Sequence, residues 1–198
     1  MAEKKLRILA AADLHGNLDI AERLSQKARK EKVDLVVLAG DLNGTMQGDG
    51  SILEPFVRAN QKVLFVPGNW ENETEEMLLK TRGKSIDNYY VSYGDVGIAG
   101  IGSRNWKFSL DEGDFEKIKR NFLRMKPSKK VLVSHLHAKD LKFERFGFYG
   151  DEVLRRAVED VQPDLLISAH IHEIEGMEDK IGKTRVVQVG RKGTVLEI

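Results

Sequence analysis

Short runs of buried-type residues recur along the chain, and each is followed within a few positions by a polar residue able to bind a ligand. R-I-L-A-A-A leads into Asp13-Leu14-His15, and V-V-L-A into Gly40-Asp41. V-L-F-V-P is followed by Gly68-Asn69, V-L-V-S by His135, and L-L-I-S-A by His170-Ile171-His172. Between these runs lie stretches with apolar residues at helical spacing, such as Ile20, Leu24 and Ala28. Strands alternating with amphipathic helices predict an α/β layer fold. Ligands in open α/β sheets bind just beyond the carboxyl ends of the strands. The pattern therefore points to one polar edge where Asp, Asn and His meet.

Composition narrows the chemistry at that edge. The 198 residues include no cysteine, which removes disulfides, thiolate metal sites and a cysteine nucleophile. Any metal must be held by histidine, carboxylate and amide groups, the set that borderline divalent ions accept. The charge balance of 32 basic against 31 acidic residues supplies no global field to attract a polyanion or an anionic membrane. Nucleic acid is thus a poor fit, although a local patch would still serve. No apolar run reaches the length of a membrane span. The apolar stretch Ile8–Ala12 that follows the basic start is too short for a signal peptide and is ended by Asp13, so a cytoplasmic protein is expected. With no break in composition, residues 1–198 are expected to form one domain.

The finer reading places strands at Leu6–Ala12, Leu35–Ala39, Val63–Val66, Val131–Ser134 and Leu165–Ala169. Helices are expected at Leu18–Glu31, Ser51–Ala59, around Phe115–Met125 and at Asp151–Val161, with a glycine-rich loop over Gly44–Gly50. Glu71–Glu76 reads as an acidic helix start suited to the helix dipole. Tyr89–Tyr93 and Gly97–Ile101 read as a more exposed hairpin, and the tail as three β-like pieces. His170 and His172 read as alternating residues of an extended segment. The basic residues from Lys117 to Lys130 read as the solvated face of an amphipathic helix. Asn17 reads as a helix cap, with a substrate contact as the alternative. Arg104 and Asn105 read as surface loop residues, with a phosphate contact as the alternative.

D-L-H, G-D, G-N, a strand-terminal H and H-I-H, in this order, make the chain resemble the calcineurin-like metallophosphoesterases from Asp13 to His172. That resemblance implies a four-layer α/β/β/α sandwich of two mixed sheets, with a two-metal centre at the strand ends. Carried over residue by residue, it implies that Asp13, His15 and His172 hold one metal. Asn69, His135 and His170 would hold the other, and Asp41 would bridge, so that Asp41 and Asn69 count among the catalytic residues. Manganese or iron(II) suits this oxygen and nitrogen set, and zinc, cobalt or nickel would also fit. A metal-bridging hydroxide is then the expected nucleophile.

Two departures matter. The third motif of the family usually reads G-N-H followed by an acid, whereas here it is Gly68-Asn69-Trp70-Glu71. Indole carries no titratable proton, so the usual general acid is missing. A preference for good leaving groups follows, with His137 as a stand-in acid or Trp70 as a stacking surface for a substrate ring. The N-P-G-S-like turn of the family is replaced by Val187-Gln188-Val189-Gly190-Arg191. The expected activity is hydrolysis of a phosphodiester or phosphoanhydride of a small molecule or nucleotide. The alternatives are a phosphomonoesterase, including a phosphoprotein phosphatase, and a non-catalytic scaffold resembling the retromer subunit of this fold. Phe143, Phe146, Phe148 and Tyr149 form an aromatic loop expected to close over the site or to mediate a homo-oligomer contact.

Overall fold

The computed structural model describes residues 5–44 and 50–198, so most of the expected Gly44–Gly50 loop lies outside the described residues. Its elements in chain order begin with β1 (Arg7–Ala11), α1 (Leu18–Lys30), β2 (Leu35–Ala39), α2 (Glu54–Arg58) and β3 (Val63–Val66). Then follow α3 (Glu73–Leu79), β4 (Lys84–Ser85), β5 (Tyr90–Tyr93), β6 (Val96–Ile101), α4 (Glu112–Arg124) and β7 (Lys129–Ser134). The chain closes with α5 (Glu152–Val161), β8 (Leu165–Ser168), β9 (Glu178–Ile181), β10 (Thr184–Gln188) and β11 (Thr194–Glu197).

These strands form two mixed sheets, ordered β11-β1-β2-β3-β4 and β5-β6-β7-β8-β10-β9. β1, β2 and β3 run parallel, with Ile8 opposite Leu35 and Val36 opposite Val63. β6, β7, β8 and β10 are parallel in the second sheet, flanked by antiparallel β5 and β9. Alternate residues of each strand serve two different cores. Ile8, Val37 and Leu64 of the first sheet pack with Ile98, Val133 and Ile167 of the second. Leu9, Val36 and Phe65 turn the other way, onto α1 and Phe56 of α2. Leu132 and Leu166 likewise turn outward, onto Ile118 of α4 and Leu154 of α5. Both faces of each sheet are therefore covered, giving the α/β/β/α order and explaining why the parallel strands are apolar without alternation.

Several expectations are corrected. β6 is buried along its whole length, not exposed, because it lies between β5 and β7. Its V-G-I-A-G-I sequence reads as weak because small residues are required there: a Cβ at Gly100 would stand 2.6 Å from Val66. The Ser51–Ala59 helix divides into a short 3₁₀ turn and α2, with Pro55 at the start of α2, where a missing N–H costs nothing. α3 begins at Glu73, capped by Asn72 and Glu75 in a reciprocal box, and Glu71 is excluded from it. Lys129 and Lys130 belong to β7, not to the α4 face. His170 and His172 do not alternate in a strand: His170 has a left-handed φ of 76°, and His172 opens a 3₁₀ turn.

Candidate metal centre

The carboxyl ends of β1, β2, β3, β7 and β8 open onto one edge, and the chain there is bent sharply. Asp13, His15, Asp41 and His170 have φ of 57°, 46°, 52° and 76°, a left-handed conformation that is uncommon outside glycine. Such residues cluster at functional sites because the surrounding structure must hold them. The bends gather Asp13, His15 and His172 into one group, and Asp41, His135 and His170 into a second. Within each group the ligand atoms all lie within 4.8 Å of one another.

One carboxylate oxygen faces both groups. Asp41 Oδ2 lies 3.8 Å from His15 Nε2 and 3.5 Å from His135 Nε2. Its other oxygen accepts the Trp70 backbone N–H at 3.0 Å, which fixes the carboxylate plane. Position 70 thus serves Asp41 through its backbone, whatever its side chain. Asn69 joins the second group, its Oδ1 standing 2.9 Å from His135 Nε2. The floor of the site (Asp13, Asp41, Asn69 and His135) is buried, while His172 at the rim is exposed.

The donor set fits a divalent cation on two counts. Both carboxylate oxygens of Asp13 are buried without a hydrogen-bond partner, a costly arrangement that a bound cation resolves. His135 Nδ1 donates to the Ala39 carbonyl at 2.8 Å, so Nε2 carries the lone pair. That atom faces Asn69 Oδ1, Asp41 Oδ2 and, at 3.2 Å, His170 Nδ1. Two acceptor oxygens, those of Asn69 and Asp41, facing a lone pair require a shared positive charge between them. A carbonyl orienting a histidine through its far nitrogen is also the usual support of a metal ligand.

Without metal, protons compete for that place. Burial disfavours the charged form of His135, but Asp41 and Asp13 outweigh it and lift the pKa to about 9. Burial and the charge of His135 push His170 down to about 4. Burial likewise lowers His15, and Asp13 raises the exposed His172. Burial opposes the charge of Asp41, yet His135 and the Trp70 N–H hold its carboxyl below the usual value. A metal entering the second group must displace the His135 proton. Affinity for manganese should therefore rise with pH up to about 9, by roughly tenfold per unit between pH 6 and 8. Calorimetric titration across that range checks this, and an affinity independent of pH contradicts it.

Glu71 is the functional residue that sequence reasoning misplaced. Its side chain is fully buried and accepts four backbone N–H groups. Leu42 and Asn43 donate to Oε1 at 2.8 and 2.9 Å, and Asp41 and Gly68 to Oε2 at 2.9 and 2.7 Å. One carboxylate thus ties the G-D turn to the G-N turn. Burial and the nearby Asp41 push its pKa up to about 7, against the pull of the N–H donors from Asn43 and Gly68. The two glycines make room for this packing. A Cβ on Gly40, at φ 93°, would stand 2.6 Å from His135 Nδ1, and one on Gly68 would collide with Asp41 Oδ1.

The 187–191 turn also supports the site. Gln188 is buried, accepts from Ser168 Oγ at 2.8 Å and donates to the Ala169 carbonyl just before His170. Arg191 Nε donates to the Asp13 carbonyl at 2.7 Å, which places a cation beside His15 and His172. His137 joins neither ligand group. It is buried, its Nε2 donates to the Phe148 carbonyl at 3.3 Å, and burial lowers its pKa. Asn17 caps α1 by accepting the Ile20 N–H, as its sequence reading expects. Arg104 is paired with the buried carboxylates of Asp87 and Glu76. The aromatic loop divides: Phe143 is core, Phe148 lines a cavity beside His170, and Phe146 and Tyr149 are exposed.

The calcineurin-like phosphoesterase sequence profile matches residues 6–173, and the chain belongs to this family. It is accordingly a metal-dependent phosphate-ester hydrolase with a divalent metal centre. None of the curated proteins matches the sequence significantly. Among solved structures it resembles TT1561 of Thermus thermophilus at 15% identity and a TM-score of 0.73, over 98% of this chain and 99% of that one. A dimetal phosphatase from Danio rerio matches at 14% identity and a TM-score of 0.64, over 95% of this chain and 88% of that one. The purple acid phosphatase PPD1 of yellow lupin matches at 14% identity and a TM-score of 0.60, over 99% of this chain and 46% of that one. At these identities the likeness is one of fold. Among the described residues, no helix is long and apolar enough to cross a membrane.

Proposed function

We propose that the chain hydrolyses phosphodiesters or phosphoanhydrides of small molecules or nucleotides at a centre of two divalent ions. The observation that carries this reading is Asp41 Oδ2 set between the two ligand groups. Asp13, His15 and His172 would hold one ion, Asn69, His135 and His170 the other, with Asp41 shared. Two such ions supply Lewis acidity to the phosphoryl group and a nucleophile at neutral pH for in-line displacement. Manganese or iron(II) is the proposed pair, on the mixed oxygen and nitrogen donors. A cytoplasmic location is part of the same proposal.

The protein groups divide the remaining work. Arg191 adds a fixed positive charge on the Asp13 side, suited to a phosphoryl oxygen. Neither of the two side chains considered for proton delivery to the leaving group, Trp70 and His137, is placed to supply it. Trp70 offers no titratable proton, and His137 has its Nε2–H engaged by the Phe148 carbonyl. Leaving groups that depart as stable anions, as in diesters of phenols or in anhydrides, are therefore favoured. General acid catalysis is worth about 10²–10⁴-fold. Trp70→His should accelerate alkyl esters by about tenfold or more while aryl esters change little. An equal response of both series contradicts the missing-acid account.

Turnover of aryl phosphodiesters and aryl phosphomonoesters by the manganese-loaded protein tests the reading as a whole. Faster diester turnover is expected, and faster monoester turnover reassigns the chain as a phosphomonoesterase. No turnover of either, with metal fully bound, reassigns it as a scaffold.

A further inference from the structure

Three large aromatic side chains stand in the open beside the candidate centre. Trp70 is 40% exposed, Trp106 51% and Phe108 59%. A single exposed aromatic is ordinary, whereas a contiguous apolar patch with a polar border marks a binding surface. These rings are contiguous, with centroids 5.2 Å apart for Trp70 and Trp106 and 6.5 Å for Trp106 and Phe108. Each end of the row touches a different ligand group. Trp70 meets His15 edge-on at 5.1 Å, and Phe108 lies 6.0 Å from His170. The row thus flanks the centre from one group to the other.

The wall is held in place against a backbone cost. Asn105 and Trp106 have φ of 57° and 59°. For a residue as bulky as tryptophan this is an outlier that the surrounding structure must hold. Two hydrogen bonds to the third motif secure it: Asn105 N–H donates to the Glu71 carbonyl and Trp106 N–H to the Asn69 carbonyl, each at 2.9 Å. Trp106 is therefore fixed to the same turn that aims the Asn69 amide. Past Phe108 and His170 the surface dips into a cavity of about 550 Å³, lined also by Leu136, Phe148, Tyr149 and Ile171. Its size lies in the range of about 300–1,000 Å³ usual for small-molecule sites.

We infer that this wall is the subsite for a nucleobase, which makes the substrate a nucleotide phosphodiester or phosphoanhydride. The inference rests on the two-metal phosphoesterase reading above and narrows it. Exposed indole and phenyl rings suit a flat ring, and base–aromatic stacking strengthens binding about fivefold or more per base regardless of base identity. An ammonium head group would suit such rings as well, but two divalent ions alongside would repel it. A neutral base is the ring that satisfies both neighbours.

The chain has two tryptophans, Trp70 and Trp106, and both lie in the wall, so tryptophan emission, excited selectively over the four tyrosines, reports on this surface. The metal-loaded protein is titrated with inorganic phosphate, ribose 5-phosphate and adenosine 5′-monophosphate, with affinity from calorimetry and emission followed in parallel. Adenosine 5′-monophosphate is expected to quench the emission saturably and to bind at least about fivefold more tightly than ribose 5-phosphate. Phe108→Ala should reduce that advantage about fivefold or more, and the 59% exposure of Phe108 makes the truncation compatible with folding. Equal affinity of the two sugar phosphates without quenching overturns the subsite and leaves the phosphoesterase reading standing. Failure of all three to bind, inorganic phosphate included, overturns that reading and the subsite with it.

Discussion

Asp41→Asn is expected to abolish turnover while leaving the fold in place. The asparagine is nearly isosteric and keeps an oxygen for the Trp70 N–H, so the turn loses little. What disappears is the charged oxygen that faces both His15 and His135. Charge stabilisation by metal is worth several kcal/mol in the transition state. At about 1.4 kcal/mol per decade, kcat/KM should fall by about a thousandfold or more. The metal-free variant should be somewhat less stable than the metal-free parent at neutral pH, because the lost charge is one that protonated His135 and the Trp70 N–H favour in the fold. Steady-state kinetics and thermal denaturation read the two effects separately. Turnover within tenfold of the parent, with metal bound, would remove Asp41 from its proposed role.

Glu71→Gln is expected to do the reverse, damaging the scaffold first and the centre through it. A glutamine oxygen can accept from one pair of the four N–H groups, but its amide would then point donors at the other pair. Two buried donors left unsatisfied cost about 1–3 kcal/mol each, so the metal-loaded protein should lose roughly 2–6 kcal/mol. For a chain of this size that lowers Tm by roughly 5–20 °C. Because the same N–H groups set the turns bearing Asp41 and Asn69, metal affinity should fall about 10–100-fold. Thermal denaturation and manganese titration check both. An unchanged Tm would show that the four hydrogen bonds do not carry the turn geometry.

The contrast between these residues explains what the sequence revealed. Asp13, Asp41, His135 and His170 were legible because each breaks an apolar run at the point where a parallel strand must stop. Glu71 was not, because its partners are backbone N–H groups, which every residue carries and no sequence pattern marks. Glycines at 40 and 68 were the available signal, since a turn that excludes Cβ implies something packed against it. The burial of β6 was hidden for a related reason: tight packing against Val66 and Met125 demands glycine, which lowers the apparent apolarity of the strand. Trp106 gave no pattern at all. Its place beside the centre depends on two left-handed residues and hydrogen bonds to carbonyls of the third motif. The bracing of His170 by Gln188 depends on β10 pairing with β8, which only the fold reveals.

Everything proposed for this chain depends on a paired metal site, and metal content per folded chain tests it most directly. After loading with manganese and removal of excess, elemental analysis should find two ions per chain, with the Asp41→Asn protein retaining fewer. A stoichiometry of one or none in the parent protein, under conditions where His135 has lost its proton, would contradict the centre proposed here.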